Sequence, residues 1–218
     1  MARKVFEASL EELHNDLIRM GSMVEKQIHD CIDALVTQNV EKAERIMVND
    51  DIVDALEREI EDKAIRLIAM QQPLAIDLRN IFTTTKIVTD LERMADYAVD
   101  VAKITVRLKD EKYIKELIDI PRMAEIVILM IRDSLDAYVA GDVEKAYEVC
   151  KRDDQVDDIY KEVFAELLQL MFKNQETVTQ ATQFLFICKW LERIADHTTN
   201  ICEWTIYLVT GEKVNLNE

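Results

Sequence analysis

Trp190–Trp204 reads WLERIADHTTNICEW, and Asp90–Lys103 reads DLERMADYAVDVAK. Both contain Leu-Glu-Arg-X-Ala-Asp, 100 residues apart, and both carry an Asp or Asn four residues after that Asp. A fold needs apolar residues to recur; it does not need Glu, Asp and a third oxygen-bearing side chain to recur in step. The duplication extends further. Val-Glu-Lys-Ala stands at Val40–Ala43 and again at Val143–Ala146, and DDIVD at Asp50–Asp54 matches DDQVD at Asp153–Asp157, both at an offset of 103. The change from 103 to 100 implies a connection three residues shorter in the second copy, placed near Gln71-Gln72-Pro73 opposite Lys173-Asn174.

Each copy holds three patterns of helical periodicity, near 4–37, 40–70 and 74–108 in the first and roughly 122–140, 143–173 and 176–209 in the second. Asn39 and Asp142 suit N-caps, Gly141 suits a helix end, and Pro73 and Pro121 suit helix starts, where a missing N–H costs nothing. Short connections make neighbouring helices antiparallel. The predicted fold is all-α: two tandem three-helix bundles, one over residues 1–110 and one over 111–218.

Composition agrees. The 218 residues include 3 Gly and 2 Pro, too few turn residues for a β-rich chain, and 49% are apolar, enough for a core. With 43 acidic against 27 basic residues the net charge is −16, which repels nucleic acid and anionic lipid at long range. Glu7, Glu11 and Glu12 fall where a signal peptide would need its apolar stretch, and no apolar run reaches membrane-spanning length. Cys31, Cys150, Cys188 and Cys202 show no CxxC spacing and read as reduced, buried thiols.

Stepping about 100° per residue from Glu92, Met94, Ile87, Ala98, Leu91, Ala102, Ala95, Val88 and Val99 fill an arc from about 200° to 340°. Asp96 falls at about 40° and Asp100 at about 80°, so three carboxylates line successive turns beside the buried arc. Glu192, Asp196 and Asn200 repeat the row. Asp50 and Asp54 stand the same way beside the arc of the middle helix, with Asp153 and Asp157 as their counterparts. Glu57 and Glu61 continue the first stripe but become Tyr160 and Phe164 in the second copy, so that acidity does not recur. Like charges at i,i+4 destabilise a helix by about 0.2–0.5 kcal/mol per pair, and two rows brought together cost more. Three readings follow: the rows hold a multivalent cation through hard oxygen ligands, they pair with arginines such as Arg93 and Arg193, or they form a solvated acidic face.

At these residues the chain resembles the PhoU family. The family signature L-E-R-I-G-D-H-A-x-N-I is matched by Leu91–Val101 and by Leu191–Ile201, and QQPLAIDLR at Gln71–Arg79 is similar to the family's first repeat. Ala95 and Ala195 stand where glycine is frequent, Asp100 replaces an Asn, and the second copy lacks the Pro-Leu-Ala-x-Asp-Leu-Arg run. The resemblance implies a cytoplasmic, non-enzymatic regulator of phosphate uptake and phosphate-starvation signalling. It would be a homodimeric adaptor between a phosphate ABC transporter's ATPase subunit and a sensor histidine kinase. It also implies divalent or trivalent metal ions in multinuclear clusters, iron or zinc. The matching residues are Asp50, Asp54, Glu92, Asp96 and Asp100, then Asp153, Asp157, Glu192, Asp196 and Asn200. A metal-free helical scaffold is the main competitor. A carboxylate di-iron oxidase is a remote third, because His14, His29 and His197 do not supply Glu-x-x-His on two helices. No phosphate-binding Gly-rich loop, GxSxG or HExxH occurs.

Overall fold

The computed structural model describes residues 2–71 and 73–216. These residues form helices α1 (Ala2–Thr37), α2 (Val40–Val48), α3 (Asp50–Gln71), α4 (Ala75–Arg107), α5 (Asp119–Ala140), α6 (Val143–Cys150), α7 (Asp153–Lys173) and α8 (Val178–Thr210). A 3₁₀ turn, Gln175–Thr177, leads into α8, and no strand occurs among the described residues. Helices α1–α4 and α5–α8 are the two copies.

Each predicted middle helix is two helices. The 40–70 span breaks at Asn49 (φ −86°, ψ 1°), whose N–H reaches both Arg45 and Ile46 carbonyls; the 143–173 span breaks at Lys151-Arg152. The cause is in the sequence. Asn49-Asp50-Asp51 and Arg152-Asp153-Asp154 put two carboxylates into a first turn, where the positive end of the helix dipole favours them. The break therefore places Asp50 and Asp153 at the head of α3 and α7.

The caps behave as their chemistry requires. Asn39 and Asp142 side chains accept the Lys42 and Lys145 N–H at 2.9 and 3.0 Å. Gly141 closes α5 at φ +63°. Its counterpart closing α1 is Gln38, also left-handed at φ +49°, whose amide donates to the Leu108 and Glu111 carbonyls. Two proline positions differ from expectation. Pro121 lies in the first turn of α5, which starts earlier, at Asp119; Pro73 stands outside α4, which starts at Ala75 with the Asp77 carboxylate accepting the Leu74 N–H. Gln71, the last residue of α3, and the link 72–74 stand between Met70 and α4, whereas Asn174 alone stands between Lys173 and the 3₁₀ turn, which accounts for the three-residue offset; Gln72 itself, like Met1, Asn217 and Glu218, lies outside the described residues.

The long helices α1, α4, α5 and α8 pack on one another, with α2–α3 laid against α1 and α4 and α6–α7 against α5 and α8. Small residues permit this: Ala95, Ala98 and Ala102 on α4 and Ala195 on α8 are fully or nearly fully buried. Gly21 marks a close approach between copies, since a Cβ there would lie 2.2 Å from Leu135 Cδ1. Buried hydroxyls turn back on their own helices, as Thr105 does to the Val101 carbonyl and Thr198 to the Ile194 carbonyl. Thr84 and Tyr138 bond each other at 2.7 Å across the two copies. Cys31, Cys188 and Cys202 are buried thiols, and Cys150 is half-buried.

Gly141→Ala puts a β-carbon on a left-handed residue and is expected to destabilise the chain by about 1 kcal/mol, seen as a Tm fall of about 2–4 °C.

Two carboxylate seams

Helices α3 and α4 run antiparallel, so their rows interleave. Asp50 feels Asp54 on its own helix and Asp96 on α4; Glu92 feels Asp96 beside it and Asp54 and Glu57 across from it. The structure thus brings Asp50, Asp54, Glu92 and Asp96 to one seam, with Asp100 one turn beyond Asp96 on α4. Glu57, which lacks a counterpart in the second copy, belongs there as well, one turn beyond Asp54. Recurrence between copies was the wrong filter for it; its position on the Asp50–Asp54 stripe was the available signal.

Burial is the largest cause of the perturbed protonation here, followed by neighbouring negative charge. Together they push the Glu92 carboxyl up to about 7, with Arg93 opposing. Asp50, Glu57 and Asp96 are also raised, each by burial first. Cations from the same helices offset part of the charge. Arg93 lies 3.4 Å from both Glu92 and Asp96, Lys103 2.8 Å from Asp100, and Arg58 3.3 Å from Asp54. The buried Oδ1 of Asp50 has no hydrogen-bond partner.

The second seam follows the same plan with different neighbours. Asp153, Asp157, Glu192, Asp196 and Asn200 line one cavity of about 470 Å³ together with His197, Cys150 and Leu216. Burial, then Asp196, Asp157 and Glu192, push Asp153 up to about 7, and its buried Oδ1 is likewise unpartnered. Lys189 lies 2.6 Å from Glu192, and Arg193 lies 3.0 Å from Asp196. The lysine that serves Asp100 is absent: position 203 is Glu, and its carboxylate accepts the Leu216 N–H at 2.6 Å. Tyr160 stands where Glu57 stood, with Lys189 Nζ 5.5 Å from its ring centre.

Asp90 ties the copies together. This buried carboxylate of α4 accepts from His197 Nδ1 at 2.8 Å and from Asn200 Nδ2 at 3.1 Å. His197 is held in orientation by the other repeat. Glu11 does stand three residues before His14, but it is a single Glu-x-x-His, and His14 Nε2 is bonded to Asn80 Oδ1 at 2.7 Å.

As the side chains stand, no three His, Cys, Asp or Glu among the described residues are disposed to hold a metal ion. Apart from Asp50 and Asp153, the seam carboxylates lie against cations of their own helices.

Fold and site together define a class: an all-α protein built from two tandem helical repeats, each a three-helix plan with its middle helix broken in two and each carrying one buried-edge carboxylate seam. The sequence matches the PhoU domain over residues 17–105 and 120–205. It is 60% identical over the full length of both chains to the phosphate-specific transport system accessory protein PhoU homolog of Clostridium acetobutylicum. The crystal structure of PhoU from Pseudomonas aeruginosa superposes with a TM-score of 0.91 at 34% identity, covering 95% of this chain and 100% of that one. The phosphate transport system regulatory protein PhoU from Streptococcus pneumoniae gives 0.90 at 33% identity, covering 96% of this chain and 99% of that one. The chain belongs to the PhoU family.

A carboxyl with a raised native pKa holds its proton more tightly folded than unfolded. Its contribution therefore favours folding at low pH, and that advantage is lost as pH rises from about 4.5 to about 7 for Glu92. In chelator, Glu92→Gln and Asp153→Asn are each expected to raise Tm at pH 7.5 by about 2–4 °C and to leave it nearly unchanged at pH 4, read by calorimetry across pH.

Proposed function

We propose that this protein is a cytoplasmic, non-enzymatic regulator of phosphate transport and phosphate-starvation signalling whose two seams bind multivalent cations. It acts as a homodimeric adaptor between the ATPase subunit of a phosphate ABC transporter and a sensor histidine kinase. Relatives named as accessory and regulatory proteins of phosphate transport systems support the coarse role. The observation that carries the metal reading is the pair of buried, unpartnered oxygens, Asp50 Oδ1 and Asp153 Oδ1, at equivalent places in two carboxylate seams.

The residues fit such a group in kind. Asp50, Asp54, Glu92, Asp96 and Asp100 in one seam, and Asp153, Asp157, Glu192, Asp196 and Asn200 in the other, are hard oxygen donors suited to iron, manganese, magnesium or calcium, with zinc also taken by carboxylates. Their present ion pairs with Arg93, Lys103, Lys189 and Arg193 are those of exposed or half-exposed side chains, worth little each, so they yield readily to a stronger ligand. A bound cation would supply positive charge and open coordination positions that an anion such as phosphate can take. The chain's own part is to hold the carboxylates together: α3 and α7 present Asp50 and Asp153 at helix N-termini, which opposes but does not outweigh the burial and neighbouring negative charge that raise both carboxyls.

The metal-free scaffold draws on the same cations, because every seam carboxylate with a nearby Arg or Lys is partly neutralised without any ion. Elemental analysis of protein purified without chelator separates the two. Metal is expected in the wild type, with the first seam's share lost in Asp54→Ala/Asp96→Ala and the second seam's in Asp157→Ala/Asp196→Ala. Unchanged metal content in both variants refutes the ligand sets. A cation at about 100 times its Kd is expected to add about 2.7 kcal/mol of stability. No Tm response to Fe(II), Mn(II), Zn(II) or Mg(II) supports the scaffold. Co-purification with the transporter ATPase and with the kinase, each alone, tests the adaptor role.

A further inference from the structure

The C-terminal half of α3 and the first turns of α4 leave an apolar groove open to solvent, far along both helices from the carboxylate rows. Ile65 and Ile68 form one ridge and Leu78 and Phe82 the other; they are 63%, 38%, 44% and 41% exposed. Tyr207 of α8 closes one side, and the groove encloses about 580 Å³. Ridges of residues one turn apart on two antiparallel helices make a trough of the kind that receives a third helix through its own apolar stripe.

Three cations border it on the α4 and α8 sides, while Glu61 stands one turn before Ile65 at the end nearer the carboxylate row. Arg79 is the charged residue lining the groove, and its guanidinium lies 5.4 Å from the Tyr207 ring centre. Lys86 Nζ stands 5.6 Å from the Phe82 ring centre and Lys213 Nζ 6.0 Å from that of Tyr207. None of the three has a carboxylate partner among the described residues; Arg79 donates to the Leu208 carbonyl at 3.5 Å. In a chain of net charge −16, three cations left without carboxylate partners beside one apolar groove stand out. Nor does it follow from the duplication, because the second copy has Thr179, Thr182 and Phe186 at the places of Arg79, Phe82 and Lys86.

We propose that this groove docks an amphipathic helix of a partner protein, with apolar residues on one stripe and Asp or Glu on its flanks. The apolar stripe fills the trough between Ile65/Ile68 and Leu78/Phe82. The flanking carboxylates meet Arg79, Lys86 and Lys213, which selects an acidic helix over a basic one and speeds its capture. The site is independent of metal binding at the seams.

The test uses the full-length protein and fluorescein-labelled helical peptides of about 18 residues, about five turns, read by anisotropy. One carries a leucine stripe with Glu flanks, one the same stripe with Lys flanks, and one the Glu peptide's composition scrambled. The Glu-flanked helix is expected to bind, at least about tenfold tighter than the other two, with affinity falling as salt rises. Arg79→Glu/Lys86→Glu and Ile65→Ser/Leu78→Ser are each expected to weaken it at least about tenfold while circular dichroism and Tm stay close to wild type. The substituted residues are exposed or half-exposed. No binding by any peptide, or equal binding of Glu- and Lys-flanked helices, overturns the proposal. So does sedimentation of wild type with phosphatidylserine vesicles that Arg79→Glu/Lys86→Glu abolishes, which assigns the face to a membrane. A homodimer dissolved by Ile65→Ser/Leu78→Ser also overturns it, assigning the face to a second copy.

Discussion

The burial of one arc of α4, and of its counterpart on α8, governs the rest of this molecule. Ile87, Leu91, Met94, Ala98 and Ala102 are wholly buried, as are Ile187, Leu191 and Ile194. Each large apolar side chain among them contributes about 1.5–3 kcal/mol on burial, whereas an i,i+4 repulsion costs a few tenths. Packing wins by a wide margin. The helices cannot rotate to carry Glu92, Asp96 and Asp100 out into water, and α3, pinned by Val53, Leu56 and Ile60, cannot carry Asp50 and Asp54 away from them. The repulsion is therefore retained in the folded state, where, after burial, it helps push the Glu92 and Asp153 carboxyls up to about 7.

Much of this was legible in the chain. Period and duplication gave the all-α class and the two copies, because apolar recurrence at helical spacing has few other interpretations. The carboxylate rows were legible because they recur in register, and the structure brings each row's two helices together. The break in each middle helix was harder to see. Asn49-Asp50-Asp51 carries a helix-start signal, but the apolar arc continues across it, and periodicity alone does not register a kink. Asp90 was invisible for a different reason. Its partners lie more than 100 residues away on the other copy, and only the packing of α4 on α8 reveals them. Glu57 was set aside because Tyr160 replaces it, although α3 faces α4 at that turn whatever stands in α7.

The two seams share a plan and differ in chemistry. The first is lined by carboxylates with Lys103 at one end. The second has an amide at position 200 and Glu203 in place of the lysine, with the imidazole of His197 and the thiol of Cys150 on its wall. Duplication supplied the frame, and divergence of a few edge positions made two unlike sites. The apolar groove at the end of the first copy shows the same history, since its basic border has no equivalent in the second.

Asp90 stands two residues before Glu92 on a rigid, continuous helix. One rod thus presents a carboxylate to its own seam and grips the imidazole and amide of the other. A rotation of α4 by a few degrees, enough to re-aim Glu92, also moves the anchor of His197 and Asn200. Beside the packed interior and the Thr84–Tyr138 bond, Asp90 thus gives the halves a polar link that runs from the helix of one seam to the side chains of the other.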